Sequence, residues 1–218
     1  DILMSGQCVI EALFEAPPAT EDLTSAIAET AATLRQRLPP LAWGELSSDT
    51  DWVTESQAHN PAIRAGAMLV KPSHVEQVPP APHVIHLDAG RAFGTGGHAT
   101  THGCLMLMQR LGQEAQPRRI ADIGTGSGLL AIAAAKLYRR AHIVASEIDA
   151  QALEVAAYNA RANGARMECV VANGWRHRTL AHGAPFDLIL ANLLYRPLMR
   201  FSRQMAKRLA PGGALIIA

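Results

Sequence analysis

Ile120-Ala-Asp-Ile-Gly-Thr-Gly-Ser-Gly128 begins as a short apolar run carrying one acid, Asp122, and breaks into glycines at 124, 126 and 128. An apolar stretch, Leu129 to Leu137, follows at once. Strand, tight glycine turn and helix in that order open a βαβ nucleotide-binding unit. Glycines at alternate positions let the backbone take positive φ and let a ligand come close to the chain. The free N–H groups of the new helix point at that ligand. The rival reading is a turn that merely packs helix on strand, but three alternate glycines are costly without something to approach. The spacing is G-x-G-x-G, with Leu129 where a dinucleotide fingerprint puts its last glycine. This turns the reading away from NAD and toward another adenosine cofactor, S-adenosylmethionine.

Outward from this core, strands and helices alternate from about residue 83. The pattern predicts strands at Val84 to Leu87, Ile120 to Ile123, His142 to Ser146, Met167 to Val171, Phe186 to Ala191 and Leu215 to Ile217. Between them it predicts helices over Thr100 to Leu111, Leu129 to Tyr138, about Ala150 to Ala162, and from Pro197 to the Pro211-Gly-Gly213 break. Repeated βα units imply a doubly wound, mostly parallel sheet covered on both faces, an α/β fold of Rossmann-like type. Earlier in the chain, residues 8 to 14 read as a strand, Thr20 to about Leu38 as a helix, and Leu41 to Leu46 as a second strand. Five prolines between residues 60 and 82 mark a linker with one short strand at Met68 to Val70. The expected division is residues 1–58, a partial N-terminal α/β domain; 59–82, a linker; and 83–218, the nucleotide-binding domain. The chain starts at Asp1 and stops within a strand-like run, so both ends are expected to be cut.

The bulk composition excludes several classes. Apolar residues make up 49% of 218 and charged residues 18%, as a packed core requires. The net charge of +1 gives no electrostatic reason to expect nucleic acid or an anionic membrane. Three dispersed cysteines imply neither a disulfide framework nor a zinc site, and suggest a reduced, cytoplasmic setting. No apolar run reaches the ~18 residues of a membrane span, and no signal peptide is visible.

Several residues stand where chemistry is expected. The cradle itself is Asp122, Gly124, Thr125, Gly126 and Gly128. Glu147 ends the next strand, 21 residues beyond Gly126, where an acid accepts hydrogen bonds from ribose hydroxyls. Asp149 is its rival and better suits a helix cap. Asn192 follows the strand Phe186 to Ala191, at the carboxyl edge where open α/β sheets bind ligands. Its carbonyl can accept from an amine, or the residue can be a simple loop cap. In the loop before the first long helix, Phe93 can stack on an adenine. Thr100 can cap that helix or bind a carboxylate at its N-terminus. His98 and His102 stand four apart without a third ligand nearby, so no metal is expected. Arg200, Arg203, Lys207 and Arg208 fall largely on one helical face, read as a solvated face over an anion-binding one.

Together these segments resemble class I S-adenosylmethionine-dependent methyltransferases. More narrowly they resemble the family that methylates large-subunit ribosomal protein L11, the PrmA family. The resemblance is carried by Leu87-Asp-Ala-Gly-Arg-Ala-Phe-Gly-Thr-Gly-Gly-His-Ala-Thr-Thr101 and by Asp122 to Lys136. It is also carried by Ser146-Glu-Ile-Asp149, by Phe186-Asp-Leu-Ile-Leu-Ala-Asn-Leu-Leu-Tyr-Arg-Pro-Leu198, and by Asp51 to Ser56. It implies that Phe93 and Thr100 contact the cofactor and that Asn192 lies beside the transferred methyl, and it puts Ala172-Asn173 after the third strand, where many methyltransferases carry an acid near the adenine. It implies that residues 1 to about 58 are the later half of a ferredoxin-like, substrate-recruiting domain. It further implies transfer of methyl groups from S-adenosylmethionine to amino groups of a large-subunit ribosomal protein, with no membrane and no direct nucleic-acid partner. Rival readings are methylation of another protein's lysines or of nucleic-acid amino groups, a nicotinamide oxidoreductase, disfavoured by Leu129, and a non-catalytic binding module.

Overall fold

The structure is a computed structural model that describes residues 14, 18–37, 41–44, 61–88 and 98–218. The chain divides into two compact units, Asp1–Asp49 and Thr50–Ala218.

In the first unit, α1 spans Thr20–Thr33. Its N-cap is Ala19, which offers no side-chain bond, so Thr20 sits inside the helix and is not its cap. The helix stops short of the expected Leu38, and Arg35 just beyond it takes a positive φ of 52°. Leu41 to Gly44 has no regular structure, against the expected strand. The strand expected at residues 8–14 lies, except for Phe14, outside the described residues.

In the second unit a small sheet comes first: β1 (Ile63–Ala65), β2 (Met68–Lys71) and β3 (His83–His86). β1 pairs antiparallel with β2, and β2 pairs parallel with β3. The stretch expected as a linker with one strand therefore holds two strands. Ala65, Met68 and Val70 are fully or almost fully buried in the same core as the main sheet. The prolines framed these strands without preventing them. Gln109 fixes the β1–β2 turn from outside, its Oε1 accepting from the Ala67 N–H at 2.8 Å and its Nε2 donating to the Ala65 carbonyl at 2.9 Å.

The remaining elements alternate: α2 (Ala99–Glu114), β4 (Arg119–Ile123), α3 (Leu129–Leu137), β5 (His142–Glu147), α4 (Ala150–Ala162), β6 (Glu168–Val171), α5 (Arg178–Gly183), β7 (Phe186–Ala191), α6 (Tyr195–Arg208) and β8 (Leu209–Ile217). β4 to β8 form a five-stranded, all-parallel sheet in the order β6-β5-β4-β7-β8. Successive side chains on each strand enter opposite cores. Ile120, Ile143, Leu188 and Leu190 join α2 and α3 on one face. Ala121, Val144, Ile189 and Ala191 join Trp175, Phe201 and Met205 on the other. Both faces are thus dry, which is why these strands read as continuous apolar runs. Each fully buried large aliphatic side chain contributes about 1.5–3 kcal/mol over an exposed one. β8 is longer than expected. It takes in Pro211-Gly212-Gly213 by a register shift between Phe186 and Leu188 of β7. Of the basic residues on α6, Arg208 is drawn inward, its guanidinium 5.1 Å from the Trp175 ring.

Candidate active site

Strand order reverses between β4 and β7, because the chain winds from β4 outward through β5 and β6 and then returns to β7 on the other side. At such a reversal the loops after the two strands diverge and leave a crevice at their carboxyl ends. The loop after β4 carries the glycine cradle and the segment after β7 carries Asn192.

The β4 loop is shaped by its glycines: Gly124, Gly126 and Gly128 have φ of 72°, 53° and 86°, all in the left-handed region. At Gly124 a Cβ would also strike Cδ2 of Leu193, on the segment after β7. At Gly128 it would press on the Cβ of Ala156 in α4 at 3.1 Å. The glycines thus let the loop turn, and two of them let it close onto neighbouring segments. The N–H groups of Gly124 and Thr125 both donate to the Ser146 carbonyl, at 2.8 and 2.9 Å, tying the loop to the end of β5.

Asp122 lies beneath this loop and is 1% exposed. Its Oδ2 accepts from the Thr125 hydroxyl at 2.6 Å and from the Ala131 N–H at 3.1 Å. One carboxylate oxygen therefore fixes both the cradle and the first turn of α3, and Thr125, 8% exposed, spends its hydroxyl on the same bond. Burial pushes the Asp122 carboxyl up to about 6, and the negative charge of Glu147 adds to the rise; the bonds from Thr125 and Ala131 oppose it. Burial, with the Asp122 charge adding to it, also drives the Cys104 thiol of α2 up to about 11, so this cysteine is no nucleophile.

Glu147, half-buried, ends β5. Its Oε2 accepts from the Gly126 N–H at 3.0 Å, and its Oε1 from the N–H groups of Ile148 and Asp149 at 2.7 and 3.3 Å. Asp149 is occupied elsewhere: it caps α4, its Oδ1 accepting from the Gln151 N–H at 2.9 Å. Of the two acids, only Glu147 is bonded to the cradle.

Asn192 follows β7 and is half-buried. Its Nδ2 donates to Oγ1 of Thr101 at 3.1 Å, so it ties the β7 segment to the first turn of α2. Thr100 in that turn is half-buried, and the helix cap is His98, whose Nδ1 accepts from the Thr100 N–H at 3.3 Å. Asn173 is half-buried just past β6. The next residue, Gly174, has φ 61°, and a Cβ there would strike the Phe201 ring. Phe93 lies outside the described residues.

Two residues that hold the site were not singled out from the sequence. Thr101, 4% exposed, is the partner of Asn192. Asn159, 1% exposed, donates from Nδ2 to the carbonyls of Asp88 and Ser127, both at 2.9 Å, and its Oδ1 accepts from the Asp88 N–H at 3.2 Å. It joins the cradle to the chain leaving β3. A polar residue on the otherwise apolar face of α4 was the available signal.

The family model described as "Ribosomal protein L11 methyltransferase (PrmA)" matches residues 2–218. Curated proteins of that name are similar in sequence. One from Rhizobium etli is 45% identical over 177 residues, covering 80% of this chain and 60% of its own length. One from Bradyrhizobium diazoefficiens is 37% identical over 231 residues, covering 100% of this chain and 78% of its own. This chain therefore spans about three fifths of the length of the Rhizobium relatives that it matches. Among solved structures, a ribosomal protein L11 methylase from Lactobacillus delbrueckii subsp. bulgaricus superposes with a TM-score of 0.60 at 30% identity, over 72% of this chain and 78% of that one. A T. thermophilus 16S rRNA N2 G1207 methyltransferase, solved with AdoMet and guanosine, shares the fold alone, with a TM-score of 0.50 at 23% identity over 58% of this chain and 36% of that one.

Proposed function

This chain belongs to the ribosomal protein L11 methyltransferase (PrmA) family, and from that premise we propose that it transfers methyl groups from S-adenosylmethionine to amino groups of a large-subunit ribosomal protein. The acceptors are lysine side chains, with the N-terminal amine as a further candidate. Residues 1–58 serve as the substrate-recruiting, ferredoxin-like part and residues 83–218 as the catalytic domain, joined in its core by β1 and β2 of the 59–82 stretch, in the cytoplasm. Among the described residues no helix is long and apolar enough to cross a membrane.

The observation that carries this reading is the meeting of two loops at one strand reversal. A bend with three positive-φ glycines, bonded to an acid, faces a segment headed by an asparagine, and Leu193 lies directly against Gly124. The residues fit an adenosyl sulfonium. At Gly126 the bend offers bare backbone with positive φ, and Glu147 offers carboxylate lone pairs beside it. Glu147 accepts from the ribose hydroxyls, each such charge-assisted bond contributing about 1.5–3 kcal/mol. Gly124, Gly126 and Gly128 let the backbone pass close, Asp122 and Thr125 hold the bend in shape, and Thr100 stands by the methionine end. Phe93 and Asn173 would take the adenine.

S-adenosylmethionine supplies, when bound, an activated methyl group and its own leaving group. The protein aligns and desolvates the acceptor. The amine nitrogen forms its bond to carbon as the carbon–sulfur bond breaks, and the surplus proton leaves to water. An amine titrating near 10.4 must first be neutral, which costs about 4–5 kcal/mol at pH 7. A dry crevice beside a positive charge lowers that cost. Asn192 is the catalytic residue: its Oδ1 accepts an amine N–H and so turns the nitrogen lone pair toward the methyl.

The test is incubation of the full-length protein with methyl-labelled S-adenosylmethionine and dissociated large-subunit proteins. Label on one protein band, released as methylated lysine after hydrolysis, is the expected result. Label in added ribosomal RNA instead of protein overturns the acceptor assignment. Cofactor binding in calorimetry with no label on any acceptor overturns catalysis.

A further inference from the structure

We infer that the outer face of α6 is a binding surface for a single strand of RNA, which Arg196, Arg200, Arg203 and Lys207 hold by its phosphates and Tyr195 by a base. The net charge of +1 conceals a division of the chain. Residues 169–218 carry seven Lys and Arg against one acid, a net of +6, and residues 1–168 carry thirteen against eighteen, a net of −5. The one acid of the basic part, Asp187, is engaged at the amino-terminal edge of the sheet, its Oδ2 accepting from the backbone N–H groups of Arg118 and Arg119 at 2.7 and 3.0 Å. The basic part holds α5 and α6, which lie on the same face of the sheet, where Leu180, Phe201 and Met205 share a core with Trp175. Glu168 of β6, the acid beside α5, accepts from the Thr179 hydroxyl at 2.9 Å and lies 3.8 Å from His142.

On α6 the basic residues form a line. Arg196, Arg200, Arg203 and Lys207 recur every three or four residues, so at 3.6 residues per turn they fall within a sector of about 60° and span about 16 Å. All four are exposed, on the side opposite the buried Phe201 and Met205. The helix carries no acid. Among the described residues none of the four side chains makes a hydrogen bond or an ion pair, and Arg200 has only the Phe201 ring, 5.8 Å from its guanidinium. Tyr195 and Met199, 74% and 57% exposed, stand one turn apart on the flank of this line, and Leu194, 77% exposed, precedes them.

Like charges one helical turn apart repel, and nothing on α6 relieves them. A polyanion does so along the whole line. A nucleic-acid strand brings a charge at every nucleotide and a flat base next to it, and a cationic track flanked by an exposed aromatic ring receives both. Three of the four cations are arginines, whose planar guanidinium takes a phosphate in two parallel bonds. An acidic protein segment matches the charges but brings no obligatory planar group to Tyr195. The helix begins three residues after Asn192, so a strand on this face runs close to the crevice. A ribosomal acceptor would then be met beside RNA. Binding on α6 and methyl transfer in the crevice are separate, and either can fail without the other.

The test is fluorescence anisotropy of the full-length protein with a labelled single-stranded RNA of mixed sequence, about 12 nucleotides long. Wild type should bind it at about 50 mM salt, with log Kobs falling against log salt at a slope near −3, about −0.7 for each of four phosphates. Arg200→Gln combined with Arg203→Gln should bring the slope to about −1.4 and weaken binding about tenfold. Arg139→Gln combined with Arg140→Gln removes the same charge from the exposed turn after α3, on the other face of the sheet, and should leave binding within about twofold of wild type. Tyr195→Ala should weaken binding about fivefold or more with the slope unchanged, as loss of one stacked base does. Should the first pair melt early, R203Q alone should lower the slope by about 0.7. Absence of RNA binding by wild type overturns the inference, and so does an equal loss in both arginine pairs, which reduces the effect to net charge. Tighter binding of a labelled polyglutamate peptide than of the RNA overturns it as well, by making the partner an acidic protein.

Discussion

Asp122→Asn probes the buried carboxylate under the glycine bend through the pH dependence of stability. The Asp122 pKa is pushed up from its ordinary 3.8 to about 6, first by burial and then by the Glu147 charge, against the opposing bonds from Thr125 and Ala131. The folded-state pKa lies above the unfolded one. The stability attached to this group is therefore fully present below pH 3.8 and is lost as pH rises through 6. At about 1.36 kcal/mol per unit, ionisation in the fold costs about 3 kcal/mol at pH 7.5 and about 1.6 kcal/mol at pH 5. Asparagine keeps an oxygen for the Thr125 hydroxyl and the Ala131 N–H but carries no charge to bury. D122N should accordingly gain on wild type by about 1.4 kcal/mol between pH 5.0 and pH 7.5. For a domain of this size that is about 3–6 °C in thermal midpoint. The assay is urea or thermal unfolding of both proteins across that range, followed by circular dichroism. A stability difference that stays flat with pH, or one that moves toward wild type as pH rises, refutes the claim that this carboxylate is held against ionisation. Constant offsets from imperfect amide geometry cancel in the comparison.

Gly124→Ala forces a left-handed backbone on an L-residue, costing about 1–2 kcal/mol, and drives its Cβ into Leu193. A lower thermal midpoint together with weaker S-adenosylmethionine binding in calorimetry is expected; a variant matching wild type in both removes the close-approach argument. Asn159→Ala strips partners from the Asp88 N–H and from the Asp88 and Ser127 carbonyls. It should cost about 1–3 kcal/mol in unfolding experiments, with amide exchange accelerated at residue 88; an unchanged unfolding free energy denies it the bracing role. Asn192→Ala should leave cofactor affinity within a few-fold of wild type yet depress methyl transfer, and full activity would take the catalytic assignment away from it.

The alternation of apolar runs with helical periods was enough to predict a parallel sheet covered on both faces, because that pattern is local and repeats along the chain. Positive φ at 124, 126 and 128 was equally legible, since glycine spacing is itself a statement about backbone sterics. Glu147 was separable from Asp149 for a similar reason: an N-cap is defined by the helix that follows it. The tertiary structure decided the rest. Met68 and Val70 looked like part of a proline-rich linker until the core of the main sheet claimed them, because burial depends on what lies across from a strand and not on its own neighbours. Asp122 read as part of the cofactor cradle, but that its Oδ2 takes the Thr125 hydroxyl and the Ala131 N–H was decided by which donors the fold brings nearest. Thr101 carries no signal in its flanking residues, and Asn159 shows only as a polar group on an apolar helix face, for their partners stand 91 and 71 positions away. Sequence determined where the chain bends and which faces are dry. Only three-dimensional packing determined which polar groups meet, since a hydrogen bond is settled by distance in space and the sequence records distance along the chain.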